Sequence, residues 1–166
     1  LVANAGIADR ARLETMEEAK FAGIVDLNVT SQWLLAKALF PLLSTSSAGR
    51  VINIASIYGT GASPIDGMGA YTVSKHALVG LTRTQAVEWA EFGITANAIA
   101  PAYFETELTR SLLSNRKASA TLSSLTPQGR FGHPTELATA LLFLASQESS
   151  YVNGAIVPVD GGWTAW

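Results

Sequence analysis

The sequence contains no cysteine. Disulfides, thiolate nucleophiles and cysteine metal sites are therefore excluded. Histidine is almost as scarce, with His76 and His133 the only imidazoles, so no metal site is expected. Charge is thin as well: Asp, Glu, Lys and Arg make up 14% of the 166 residues, and the net charge is −2. That balance offers no electrostatic handle for nucleic acid or for an anionic membrane. No apolar run reaches the ~18 residues of a membrane span, and no signal peptide is visible. No nucleic-acid or membrane partner is expected, and the location is expected to be cytoplasmic. Internal repeats and low-complexity linkers are also missing.

Apolar residues, by contrast, are plentiful. Hydrophobic side chains make up 48% of the chain, which suits strands buried on both faces. The length fits one domain. Four short apolar runs read as strands, at residues 1–4, 50–55, 95–100 and 155–159. Helical periodicity fills the intervals. It covers residues 16–43 (Phe21, Val25, Leu27, Trp33, Leu34, Leu35, Ala38, Leu39), residues 69–91, residues 106–118 (Leu108, Leu112, Leu113) and residues 135–146. Thr15 with Glu18 reads as a capping box. Pro41 predicts a kink or an early helix end, Gly93 a helix C-cap, and Pro134 a first helical position with His133 beside the cap. Residues 119–132 read as polar loop, and Asp9, Arg10 and Arg12 are expected to face water. Strands alternating with helices predict βαβ units and a parallel sheet.

The helical pattern at residues 69–91 opens with Tyr71 and Lys75. Four residues apart, they share one helix face. A free tyrosine ionises near pH 10, too high for a base at neutral pH. A lysine ammonium within about 4–6 Å and the helix N-terminus both favour the phenolate. The pair is thus expected to bring Tyr71 toward general-base range.

The surroundings carry a resemblance. In chain order stand Asn4-Ala5-Gly6 after a strand, Asn28 in a helix, and Ser56 after a strand. Tyr71-x-x-x-Lys75, Asn97-x-x-x-Pro101 and Asp160-Gly161-Gly162 follow. This set resembles the classical short-chain dehydrogenase/reductase family along the whole chain. The resemblance implies an α/β fold, a Rossmann-type doubly wound parallel sheet. The family's glycine-rich turn, T-G-x-x-x-G-x-G, does not occur here. The expectation is an N-terminally truncated record, residues 1–166 being one partial NAD(P)-binding domain that carries the catalytic residues. Three missing βα units at ~30 residues each would amount to roughly 90 residues. An apolar first strand left as an open edge points the same way.

The resemblance also assigns roles. Tyr71 would exchange the proton of the substrate oxygen. Lys75 would lower the Tyr71 pKa and bond the nicotinamide ribose. Ser56 would hold the substrate oxygen together with Tyr71, and Asn28 would bind a water linking Lys75 to solvent. Asn4, Ala5, Gly6, Pro101, Ala102, Phe104 and Thr106 would contact the cofactor, NAD or NADP. Ala102 stands where the family usually has glycine, so backbone strain is expected there if φ is positive. The Ser56–Tyr71 interval is two residues longer than the family's commonest one, and the loop at residues 61–67 absorbs the difference. The implied substrate is a small alcohol or ketone, with Ile57-Tyr58-Gly59 and Ala102-Tyr103-Phe104-Glu105-Thr106-Glu107-Leu108 resembling the gluconate 5-dehydrogenase and sugar-alcohol branch. Alternatives are a 3-oxoacyl-carrier-protein reductase, a non-catalytic nucleotide-sensing or scaffold protein, and a cofactor-free structural module. A homo-oligomer, dimer or tetramer, is implied through the two long helices, with Trp163 and Trp166 packing on a partner subunit.

Overall fold

A computed structural model describes residues 1–107 and 109–165. Four parallel strands form one sheet in the order β1-β2-β3-β4: Val2–Ala3, Arg50–Ile54, Thr95–Pro101 and Ile156–Val159. Val2 pairs with Ile52, Ile52 with Asn97, and Ile99 with Val157. Parallel neighbours need long crossovers, and each interval supplies helix. Between β1 and β2 run α1 (Glu18–Val25), a π-turn (Asp26–Thr30) and α2 (Ser31–Ser44). Helix α3 (Gly69–Glu88) joins β2 to β3. Between β3 and β4 come α4 (Arg110–Ser114), α5 (Arg116–Leu125) and α6 (Leu137–Ala145).

Strand alternation sends side chains to two helical layers. Val51, Ala96 and Ala98 face the side of α2 and α3, where they pack with Ala86, Val79, Phe40 and Leu43. Ile52 and Ile99 face the other side and pack on Leu144, Leu137 and Leu141 of α6. Buried amides fix the sheet's carboxyl half. Asn97 donates to the Val152 carbonyl (2.8 Å) and accepts from the Ala155 N–H (2.9 Å), locking the approach to β4. Asn53 donates to Thr82 and Gln85, which holds α3 against β2.

Several expected boundaries move. The run at 16–43 is continuous in path but is broken by the π-turn, whose Ser31 N–H reaches back five residues to the Asp26 carbonyl. No capping box forms at Thr15 and Glu18. The Thr15 hydroxyl donates instead to the Arg12 carbonyl, and α1 starts after Glu17 without a side-chain cap. Pro41 lies within α2, which ends three residues later. The expected helix at 106–118 is two short ones, and residues expected as loop belong to α5. Asn115 starts α5 by accepting the Ala118 N–H, and Leu122 is its one buried anchor, too sparse an apolar signal to stand out in a polar stretch. Gly93, at φ +71°, and the Pro134 turn with its His133 cap are as expected. Trp163 packs on Tyr103 within the chain, with ring centroids 5.5 Å apart. Leu108 and Trp166, named above, lie outside the described residues.

One close approach ties the strand end to the main helix. The 3-10 turn Ile57–Gly59 follows β2 and rests directly on α3. A Cβ at Gly59 would lie 2.8 Å from the Lys75 carbonyl oxygen and 3.1 Å from Val79 Cγ2. Gly59→Ala is therefore expected to destabilise the protein by about 1–3 kcal/mol, as an overpacked backbone contact does. Urea unfolding of wild type and variant checks this, and an unchanged midpoint would contradict it.

Candidate active site

Tyr71 and Lys75 lie on the stripe of α3 that also buries Ser74, Leu78, Val79 and Thr82. Lys75 is 3% exposed. Its ammonium donates to the Ile54 carbonyl at the end of β2 (2.7 Å) and stands 5.6 Å from the centroid of the Tyr71 ring. No carboxylate pairs with it among the described residues. Burial pushes its pKa down from 10.5 to about 8, so at neutral pH most of the population is still charged.

Ser56 follows β2 and caps the 3-10 turn, its hydroxyl oxygen accepting the Tyr58 N–H (3.1 Å). The Ser56 hydroxyl lies near the Tyr71 phenol and favours its ionised form. The expected lowering of the Tyr71 pKa is not what the structure holds. Burial raises it above its ordinary value of 10.0; the Ser56 contact offsets part of the rise, and nearby Tyr58 adds to it. Withdrawing the phenolate from water outweighs the attraction of a lysine tied to a carbonyl.

Asn28 sits in the π-turn, fully buried. Its Oδ1 accepts the Ile7 N–H (2.8 Å), and its Nδ2 donates to the Ile7 carbonyl (2.9 Å) and to Ser74 Oγ (2.9 Å). Ser74 donates onward to the Tyr71 carbonyl (2.7 Å). Both amide hydrogens are used, which leaves one lone pair of Oδ1 as the place for a water to bond. The side chain ties the segment after β1 to the start of α3. A π-turn is a common device for such a re-aimed residue. Gly6 closes this corner: a Cβ there would sit 3.3 Å from Asn28 Oδ1 and 3.5 Å from Lys75 Nζ. Asn4, Ala5 and Gly6 are exposed beside it, at the carboxyl end of β1.

The loop after β3 is held by the backbone. The Ala102 N–H donates to the Val159 carbonyl (3.2 Å) just past Pro101. No described non-glycine residue has positive φ, so the strain expected at Ala102 does not arise. Phe104 is buried and bridged to Gly132, and its carbonyl accepts the Thr109 hydroxyl. Thr106 is exposed and bonds Thr109 through its N–H (3.0 Å) and hydroxyl (3.2 Å).

A cleft of about 250 Å³ opens against Ser56, Tyr71 and Ala102. Lys75 and Asn28 stand behind Tyr71, and Asn4, Ala5, Gly6, Pro101, Phe104 and Thr106 are not among its walls. The walls include polar residues that sequence reasoning did not place there: Arg10, Tyr103 and Thr109, with Tyr58. Arg10, expected only to face water, donates through its guanidinium to the Asp66 carbonyl (3.4 Å) and through its backbone N–H to the Asp9 carboxylate (2.8 Å), and its guanidinium forms no ion pair among the described residues. The Tyr58 and Tyr103 hydroxyls are hydrogen-bonded at 2.7 Å. Each aromatic stands two residues after a motif residue, Ser56 or Pro101, and that was the signal available. Arg10 carried none.

Known proteins are similar to this chain in sequence and in fold. Residues 1–164 match a family model described as enoyl-(acyl carrier protein) reductase. The chain is 38% identical over 166 residues to a galactitol 2-dehydrogenase (L-tagatose-forming) of Cereibacter sphaeroides, covering 100% of this chain and 65% of that protein. It is 38% identical over 162 residues to a 3-oxoacyl-[acyl-carrier-protein] reductase FabG of Vibrio cholerae, covering 98% and 65%. Among solved structures it is similar to a gluconate 5-dehydrogenase from Burkholderia cenocepacia in complex with NADP and tartrate. That similarity has a TM-score of 0.95 and 38% identity, and covers 100% of this chain and 64% of that one. The chain thus spans just under two thirds of the length of these relatives.

The Lys75 environment makes stability depend on pH. Between its folded pKa of about 8 and its unfolded value of 10.5, unfolding takes up a proton, so raising the pH favours the folded state. The Tyr71 shift acts oppositely, but only above pH 10. From pH 8 to 10, ligand-free wild type is expected to gain stability relative to Lys75→Met with a slope approaching about 1.4 kcal/mol per pH unit. Denaturant unfolding across that window measures the slope, and parallel curves would refute it.

Proposed function

The chain belongs to the short-chain dehydrogenase/reductase family, and on that premise we propose that the complete protein is an NAD(P)-dependent oxidoreductase acting on a small alcohol or ketone. The observation that carries the reading is that Ser56 and Tyr71 wall one cleft, with the Lys75 cation 5.6 Å from the Tyr71 ring behind it. Residues 1–166 would be the catalytic part of its NAD(P)-binding domain.

The residues present fit the nicotinamide-ribose end of such a cofactor. Lys75 spends one of three N–H donors on Ile54, and hydroxyl groups suit the other two. Gly6, without a side chain, leaves room beside that ammonium and Asn28. Asn4, Ala5 and the loop carrying Pro101, Ala102, Phe104 and Thr106 would flank it. When bound, the nicotinamide would supply or accept hydride at the substrate carbon.

The chain's own residues handle the oxygen and its proton. Ser56 donates to the substrate oxygen and steadies charge developing there. Tyr71, kept as a phenol by its raised pKa, gives its proton to a carbonyl in reduction. In the reverse direction its phenolate takes the proton of an alcohol. Lys75 lowers the cost of the phenolate left behind, once ligand displaces water and brings the cation into play. Asn28, spent on Ile7 and Ser74, is a positioning residue for the start of α3.

The substrate we favour is a sugar acid or polyol, as for the gluconate 5-dehydrogenase relative. Arg10 at the cleft, with its guanidinium in no ion pair among the described residues, and the hydroxyls of Tyr58 and Tyr103 suit a polyhydroxy acid better than a hydrocarbon. One observation supports 3-oxoacyl thioester reduction instead: Ile57, Ile65, Met68 and Leu112 give the same cleft an apolar wall. For assembly, exposed Trp33, Leu34 and Leu42 on α2, with Val73 and Val87 on α3, support a homo-oligomer through these helices. No described helix is long and apolar enough to cross a membrane.

Two measurements test the reading. In the complete protein, Tyr71→Phe is expected to lower kcat by about 10²–10⁴-fold while cofactor affinity by calorimetry stays within about twofold; Lys75→Met is expected to reduce both. A non-catalytic nucleotide sensor would show no turnover to lose. A panel of polyols, keto-sugars, sugar acids and 3-oxoacyl thioesters should contain a substrate, and failure on every member would sink both substrate assignments.

A further inference from the structure

The cleft holds a second pair of hydroxyl groups that the chemistry at Tyr71 does not use. Tyr58 lies on the turn capped by Ser56 and is 3% exposed. Tyr103 lies on the loop after β3, packed by Phe131 and Trp163. Their rings meet nearly edge-on, with centroids 6.3 Å apart, and their oxygens are 2.7 Å apart. Both residues form walls of the cleft beside Ser56 and Tyr71.

Hydrogen counting makes the pair informative. Two phenols carry two O–H donors, and the shared bond uses one. The second has no protein acceptor among the described residues, as neither oxygen makes another hydrogen bond. A phenol so enclosed normally finds a partner. The three phenols are also close enough to sense one another's charge: Tyr58 raises the Tyr71 pKa, and Tyr71 contributes to the rise at Tyr103. Tyr103 is not a suitable proton-transfer group, since burial and the shared bond push its pKa far above the physiological range. What remains is a rigid neutral donor–acceptor pair, anchored from two loops and placed next to the reacting position.

We propose that the Tyr58–Tyr103 pair recognises a second oxygen of the substrate, a hydroxyl near the carbon whose oxygen Ser56 and Tyr71 hold. The inference rests on the oxidoreductase reading and adds a specificity determinant to it. A polyhydroxy substrate supplies an acceptor for the spare O–H and a donor for a phenol lone pair. A substrate lacking that hydroxyl leaves a pair with one buried and one half-buried phenol unsatisfied, a basis for rejection.

The test compares two substrates in the complete protein: a polyol, and a plain secondary alcohol with no further oxygen. In wild type the polyol is expected to have the higher kcat/KM. In Tyr103→Phe and in Tyr58→Phe the ratio of the two kcat/KM values should fall about 10- to 100-fold. A ratio within twofold of wild type would overturn the proposal, including the case where both substrates lose rate together. Calorimetry of polyol binding to the cofactor-loaded protein reads the pair without turnover. Weaker polyol affinity in Tyr103→Phe supports the proposal, and equal affinity rejects it. Absence of turnover in wild type counts against the oxidoreductase reading alone.

Discussion

Everything at the carboxyl edge of the sheet is arranged around a buried ammonium with no buried carboxylate to neutralise it. A lone cation inside a protein is costly, and a single carbonyl is modest compensation. The fold tolerates Lys75 because its stem runs along the packed stripe of α3 while its head reaches the Ile54 carbonyl, where β2 ends and the sheet opens. The lowered pKa measures that cost. It also explains why the neighbours are small or already satisfied: Gly6 on one side, Asn28 on another, and Gly59 under the helix. A side chain at Gly6 would crowd Asn28 and reach the ammonium, and one at Gly59 would press on the Lys75 carbonyl.

The sheet provides the stiffness that this arrangement needs. Asn53 and Asn97 spend buried amide groups on α3 and on the segment before β4, so strands and helices are joined by directional bonds as well as by apolar contact. Ser56 and Pro101 then leave neighbouring strands at the same edge, and the loops behind them bring Tyr58 and Tyr103 within hydrogen-bond distance. Parallel register is what places two loops, 45 residues apart in sequence, over one opening.

Much of this was legible in the sequence, for identifiable reasons. The four strands were readable because strands buried on both faces are continuous apolar runs. Tyr71 and Lys75 were readable because helical spacing fixes their relation wherever the helix goes. Ser56 stood out as a hydroxyl at a strand end. The sign of the Tyr71 shift was not readable, because it depends on how much water the finished fold excludes. Arg10 was missed because its place in the cleft comes from the path of a loop with no periodicity of its own. Helix α5 was missed because one buried leucine anchors it, and the capping box was misjudged because Thr15 found a nearer carbonyl in Arg12. The spent amide of Asn28 was hidden for a similar reason: its partners are Ile7 and Ser74, far away in the chain.

The π-turn between α1 and α2 has a consequence for insertions and deletions. An α-helix advances about 100° per residue, and the wide turn holds one residue more than an α-turn would. Losing one residue from Asp26–Thr30 would let the backbone relax to ordinary α-helical bonding at little local cost. Because the wide turn had absorbed that residue, Gln32 and Ala36 of α2 would keep their buried face, while Asn28 would lose the turn that aims it at Ile7. The extra residue serves the Asn28 contact, and the phase between the two helices does not depend on it.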